Sequence, residues 1–74
     1  MEIGFYYDFG ELKAGDRFAY KGGEYEKISG NFADVLCGDK VVDTEEIPEG
    51  AKVYLYEVGW RYWFFDKKNK HVVN

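Results

Sequence analysis

Cys37 and His71 are the only cysteine and the only histidine in this 74-residue chain. They stand thirty-four residues apart, with none of the ligand spacing of a zinc site. Nucleophilic catalysis through Cys37 would need a neighbouring base and a group to orient it. Cys37 closes the apolar stretch Val35-Leu36-Cys37, so a packed, inert thiol is expected. Fourteen acidic residues offer many carboxylate pairs for acid–base work, and their spacing singles out none. Ser29 and Thr44 have no motif around them, and Gly22-Gly23 lacks the Lys-Ser/Thr sequel of a phosphate loop. The chain therefore reads as non-enzymatic, with no metal and no cofactor.

What remains is the chemistry of aromatic rings and charges. Nine of the fifteen aromatic residues sit in Phe5–Phe9 and Trp60–Phe65. Tyr54, Tyr56, Arg61 and Trp63 form a natural contact set, because Tyr, Trp and Arg dominate interface energetics. A second candidate surface is the acidic segment from Asp39 to Glu49, which includes Glu45 and Glu46 and would steer a basic partner. Protein binding is the favoured reading, and self-association into a homodimer is another form of the same signal. Stacking of single-stranded nucleic acid on the same rings, helped by Lys67, Lys68 and Lys70, is the alternative. Against it stands a net charge of −4, since such proteins usually carry a basic footprint.

The elements that must position these residues are strands. Ile3, Phe5, Tyr7 and Phe9 alternate with Glu2, Gly4, Tyr6 and Asp8, and alternation places each set on one face. Gly10 ends this strand and Leu12–Asp16 reads as a tight loop. Strands are then expected at 16–21 and 24–29 around a two-residue Gly22-Gly23 hairpin, at 31–37, and from Val41 after a Gly38-Asp39 turn. Pro48 interrupts, Ala51–Val58 alternates again, and Trp60–Asp66 and His71–Val73 complete the set. No apolar stripe of helical spacing is present, so helix is limited to one 3₁₀ turn at Glu45-Glu46-Ile47. Glu11-Leu12-x-x-Gly15-x-Arg17-Phe18 is echoed by Glu46-Ile47-x-x-Gly50-x-Lys52-Val53, a reuse of one loop-into-strand solution.

These signals predict one all-β domain over residues 1–74: a small antiparallel barrel or strongly curved sheet of five or six short strands. One cysteine allows no internal disulfide, which suits a reducing compartment. No stretch is long and apolar enough to span a bilayer as a helix, and Met-Glu-Ile-Gly lacks the character of a signal peptide. A cytoplasmic chain is expected.

The stretch Leu12-x-x-Gly15-Asp16-x-Phe18-x-Tyr20-x-Gly22-x-x-Tyr25-x-Lys27-Ile28 resembles a pattern found in short bacteriophage proteins with SH3-like small barrels. The resemblance implies an SH3-like fold and a phage origin, with a host protein as partner, in a defence system or in transcription or replication machinery. It carries no catalytic residue.

Ile3, Phe5, Phe18, Tyr20, Ile28, Val35, Val53 and Leu55 are the expected core. Replacing Phe18 with Ala should cost about 3–5 kcal/mol, the usual range for deleting a buried ring. Thermal melting of the variant tests the assignment, and an unchanged midpoint would refute it.

Overall fold

The computed structural model describes residues 1–59. The expected strands at 60–66 and 71–73, with Arg61 and Trp63, lie outside the described residues. Six strands form among the described residues: β1 (Phe5–Asp8), β2 (Arg17–Tyr20), β3 (Gly23–Ser29), β4 (Phe32–Cys37), β5 (Lys40–Glu46) and β6 (Lys52–Glu57). They make one antiparallel sheet in the order β1-β6-β2-β3-β4-β5, with β1 and β5 at its edges. The chain is all-β, as its alternation predicts.

Three two-residue turns make β2–β5 a meander, since Tyr20 pairs with Gly23, Ser29 with Phe32 and Cys37 with Lys40. The first of them corrects the sequence reading by one position. Its central residues are Lys21 and Gly22, both at positive φ (47° and 77°), and Gly23 already belongs to β3. This is the type I′ pattern, whose twist matches that of the flanking strands. The 3₁₀ turn also lies elsewhere than expected. It spans Phe9–Glu11, while Glu45 and Glu46 are extended in β5. A turn at Phe9 folds that ring back over the sheet, whereas Glu45 and Glu46 are held straight by pairing with Ala33 and Phe32.

The main core cluster lies on one face of the sheet. Phe18, Tyr25, Ala33, Val53 and Leu55 project from one face, and Phe9, Leu12 and Ile47 from the connecting segments cover them. Phe18 stacks nearly parallel to Tyr25 with centroids 5.4 Å apart, and Phe9 tilts against Phe18 at 5.4 Å. Each such pair adds about 0.5–1.5 kcal/mol beyond the area it buries.

Five of the eight expected core positions need correction. Ile3 and Phe5 are more than half exposed, because the short edge strand β1 is flanked on one side only among the described residues. Tyr20, Ile28 and Val35 are half-buried. For Ile28 the reason is parity: Tyr25 and Lys27 take the inward positions of β3, so Ile28 points the other way.

Among the described residues, Lys27 and Asp16 are the two buried charged residues. The Asp16 carboxylate accepts the N–H of Lys13 at 2.9 Å and that of Gly59 at 2.6 Å. Its backbone carbonyl accepts Lys27 N–H at 2.9 Å, and Gly15 N–H, from a residue at φ 94°, reaches Lys27 O at 2.8 Å. The Lys27 ammonium donates to Phe9 O at 3.1 Å and lies 4.5 Å from the centre of the Phe9 ring. At Gly59 a Cβ would meet Ala14 O at 2.7 Å, so only glycine lets the chain come this close. The loop before β2, the middle of β3, the 3₁₀ turn and the segment after β6 thus converge on one junction.

The echoed segments also acquire a meaning. Leu12 and Ile47 both enter the core, and the strands they lead into, β2 and β6, are neighbours. Asp16→Ala would strand two backbone donors in a buried junction. The expected loss is about 2–4 kcal/mol, given the strength of hydrogen bonds to a charged acceptor. Urea denaturation measures it, and a variant with the wild-type midpoint would show that the junction is not structural.

Candidate functional site

Alternation on β6 sends Val53 and Leu55 into the core and leaves Tyr54 and Tyr56 on the opposite face. On β1 the same rule turns Tyr6 outward, directly opposite Tyr54. Their rings meet edge to face with centroids 5.2 Å apart, and Tyr6 remains 70% exposed. Ala19 of β2 lies on the other side of Tyr54, and its small side chain leaves a depression. The result is a shallow cleft of about 350 Å³, lined by Tyr6, Ala19, Tyr20, Lys21, Lys52 and Tyr54. Lys52 pairs with Asp8, whose hydrogen bond and charge raise the lysine pKa above its ordinary value. Lys21 sits 5.4 Å from the centre of the Tyr20 ring.

Further along β6 the environment turns acidic. The register shifts so that Arg17 stands opposite Glu57 and Tyr56 becomes an additional residue in β6. The Tyr56 hydroxyl donates to Glu24 at 3.3 Å. Burial, followed by the Glu24 charge and this bond, pushes its pKa up to about 12. Arg17 bonds to Glu26 at 3.0 Å and to Asp39 at 3.4 Å, and its pKa rises chiefly through the Glu26 bond. One face therefore carries an aromatic, lysine-flanked end and a carboxylate-rich end centred on Arg17.

The sequence-derived contact set is only partly gathered here. Tyr54 and Tyr56 share the face. Glu45 and Glu46 lie on β5, separated from β6 by three intervening strands in the sheet order, and point to opposite sides of that strand. Glu45 accepts the Tyr25 hydroxyl at 3.4 Å, and burial followed by the Glu45 charge raises the Tyr25 pKa. Arg61 and Trp63 lie outside the described residues. Sequence reasoning missed Tyr6 as the partner of Tyr54, although alternation had already placed it on the non-core side of its strand. Lys21, Lys52 and Glu24 carried no signal, because only strand pairing brings them to the tyrosines.

Cys37 corrects another expectation: its thiol is exposed. It ends β4 opposite Lys40, beside the Gly38-Asp39 turn, where the core-covering segments do not reach. No group of His, Cys, Asp and Glu among the described residues could hold a metal ion. No helix among them is long and apolar enough to cross a membrane.

No protein-family model matches the chain, and no curated protein or solved structure does.

The high Tyr56 pKa has a thermodynamic consequence. The folded protein keeps this proton to about pH 12, whereas an unfolded tyrosine releases it near 10. The contribution of the protonated phenol is thus complete below about pH 10 and is lost as pH rises through 12. Tyr25 acts in the same direction. Ultraviolet titration of Tyr56→Phe should lack one phenolate near pH 12, and its stability should fall less steeply above pH 10. A phenolate lost near pH 10 instead would contradict the burial and the Glu24 contact that raise it.

Proposed function

We propose that this chain is a non-enzymatic protein-binding domain that docks through the face carrying Tyr6, Tyr54 and Tyr56. The observation that carries the reading is the Tyr6–Tyr54 pair: two rings packed edge to face on the side of the sheet turned away from the core, one of them 70% exposed. Tyrosines held against each other bury a large area on binding and lose little side-chain freedom, which suits an interface anchor. The carboxylates around Tyr56 and Arg17 add a charged border that favours a basic partner surface. The likeness of the segment from Leu12 to Ile28 to short bacteriophage proteins makes a host protein the favoured partner and inhibition of a host factor the favoured role.

A second reading rests on one specific observation. Lys21 and Lys52 flank the tyrosine cleft, which gives it a local basic margin suited to single-stranded nucleic acid. Capture from host lysate with and without nuclease separates the two. A protein retained after nuclease treatment supports protein binding, and loss of all captured material supports nucleic acid.

With the retained partner purified, Tyr54→Ala should weaken binding by about 2 kcal/mol, roughly thirtyfold in Kd, the scale of an interface hot spot. Calorimetry gives the affinity, and circular dichroism checks that the variant is folded. A folded Tyr54→Ala protein that binds with wild-type affinity removes this face from the reading.

A further inference from the structure

The edge strand β5 offers a second, independent surface of a different kind. All seven of its residues, Lys40–Glu46, are exposed, and among the described residues no strand pairs with its outer side. The ladder to β4 fixes which backbone groups face outward. Ile47 N–H bonds inward to Asn31 O, so by the two-residue period the N–H groups of Glu45 and Asp43 also turn inward. The N–H and C=O groups of Thr44 and Glu46 then point away from the sheet. Thr44 agrees with this register, because its N–H donates to the Asp43 carboxylate at 2.8 Å. Toward the start of the strand, Val42 is an additional residue opposite β4, and this irregularity confines the regular edge to Asp43–Glu46.

We propose that β5 accepts an extended segment of a partner protein as a seventh strand, and that this segment carries lysine or arginine at alternate positions. Asp43 and Glu45 lie two residues apart and so on one face of β5, where alternate basic side chains of an added strand would align with both. Asp43 also acts as a gate. Its carboxylate caps the Thr44 N–H that an incoming carbonyl must bond, and a cationic side chain that draws the carboxylate away frees this donor. A basic strand opens the edge, and an acidic or neutral one meets it closed. The same charges oppose a second copy of this chain, because pairing two β5 strands would face Asp43, Glu45 and Glu46 with their own counterparts. Strand addition of this type draws affinity from main-chain hydrogen bonds and specificity from alternate side chains.

The test uses the full chain labelled with ¹⁵N and two synthetic probes, a peptide alternating lysine and valine and a peptide alternating glutamate and valine. With the lysine peptide at about ten times its Kd, amide hydrogen exchange at Thr44 and Glu46 should slow about tenfold by mass action. The glutamate peptide should leave both amides unchanged. Asp43→Asn keeps the shape and an acceptor but loses the charge. It should weaken the lysine peptide about two- to fivefold, the range of an exposed ion pair. Four results would each overturn the proposal: no slowing at Thr44 and Glu46 at millimolar lysine peptide, equal slowing by the glutamate peptide, unchanged lysine-peptide affinity in a folded Asp43→Asn variant, or slowing that grows with protein concentration without peptide. Perturbation confined to Tyr6 and Tyr54 would also overturn it while leaving the tyrosine face standing, so the two surfaces are judged separately.

Discussion

A buried carboxylate holds this fold together. Asp16 takes two backbone N–H groups, one from Lys13 in the loop before β2 and one from Gly59 after β6, forty-three residues further along the chain than Asp16 itself. A buried charge is tolerated only where hydrogen bonds replace the water it has lost. Here both carboxylate oxygens are used. Its neighbour in space, Lys27, satisfies the same requirement differently, with a backbone carbonyl and the face of the Phe9 ring in place of an acid. Among the described residues no buried side-chain nitrogen or oxygen lacks a partner. Without this junction the 3₁₀ turn would have no anchor on β3, and Phe9 and Leu12 would lose the geometry that closes them over Phe18.

That constraint explains why the most patterned stretch of the sequence is structural. Leu12, Phe18 and Tyr25 are core, Gly15 and Gly22 take positive φ, and Asp16 and Lys27 form the junction. These positions are occupied by the needs of folding, which leaves binding to residues the pattern does not contain. Tyr6 and Tyr54 lie on the reverse side of the strands whose inward residues build the core. Thr44 and Glu46 lie on an edge that the core does not reach.

The two surfaces differ in the physics they offer. The tyrosine face presents rigid aromatic area next to lysines at one end and carboxylates at the other, and its strength comes from buried area. The β5 edge presents directional backbone groups guarded by charge. An open sheet has two edges, and each needs some means of avoiding its own kind. On β5 the means are an acidic run, an irregular register and a side chain that caps an outward donor.

Much of the architecture was legible in the chain itself. Period-two alternation marked β1, β2, β3 and β6, and glycines marked the turns that bound β4 and the start of β5, because both depend on local backbone geometry alone. Phe18, Val53 and Leu55 were readable as core for the same reason. Other features required three dimensions. Ile3 and Phe5 alternate as well as any buried strand, yet exposure followed from the position of β1 at the sheet edge, which strand order decides and periodicity does not. Nothing in the sequence spacing marked Lys27 as buried, and only the approach of Phe9 from eighteen residues away gave its ammonium a buried acceptor. Tyr54 and Tyr56 could be placed on one face by counting, but Tyr6, Glu24 and the lysines joined them through pairing across strands distant in sequence. The sequence determined which way each side chain points from its own strand. The tertiary structure decided what it points at, because strand order and register are set by long-range contacts that no local spacing encodes.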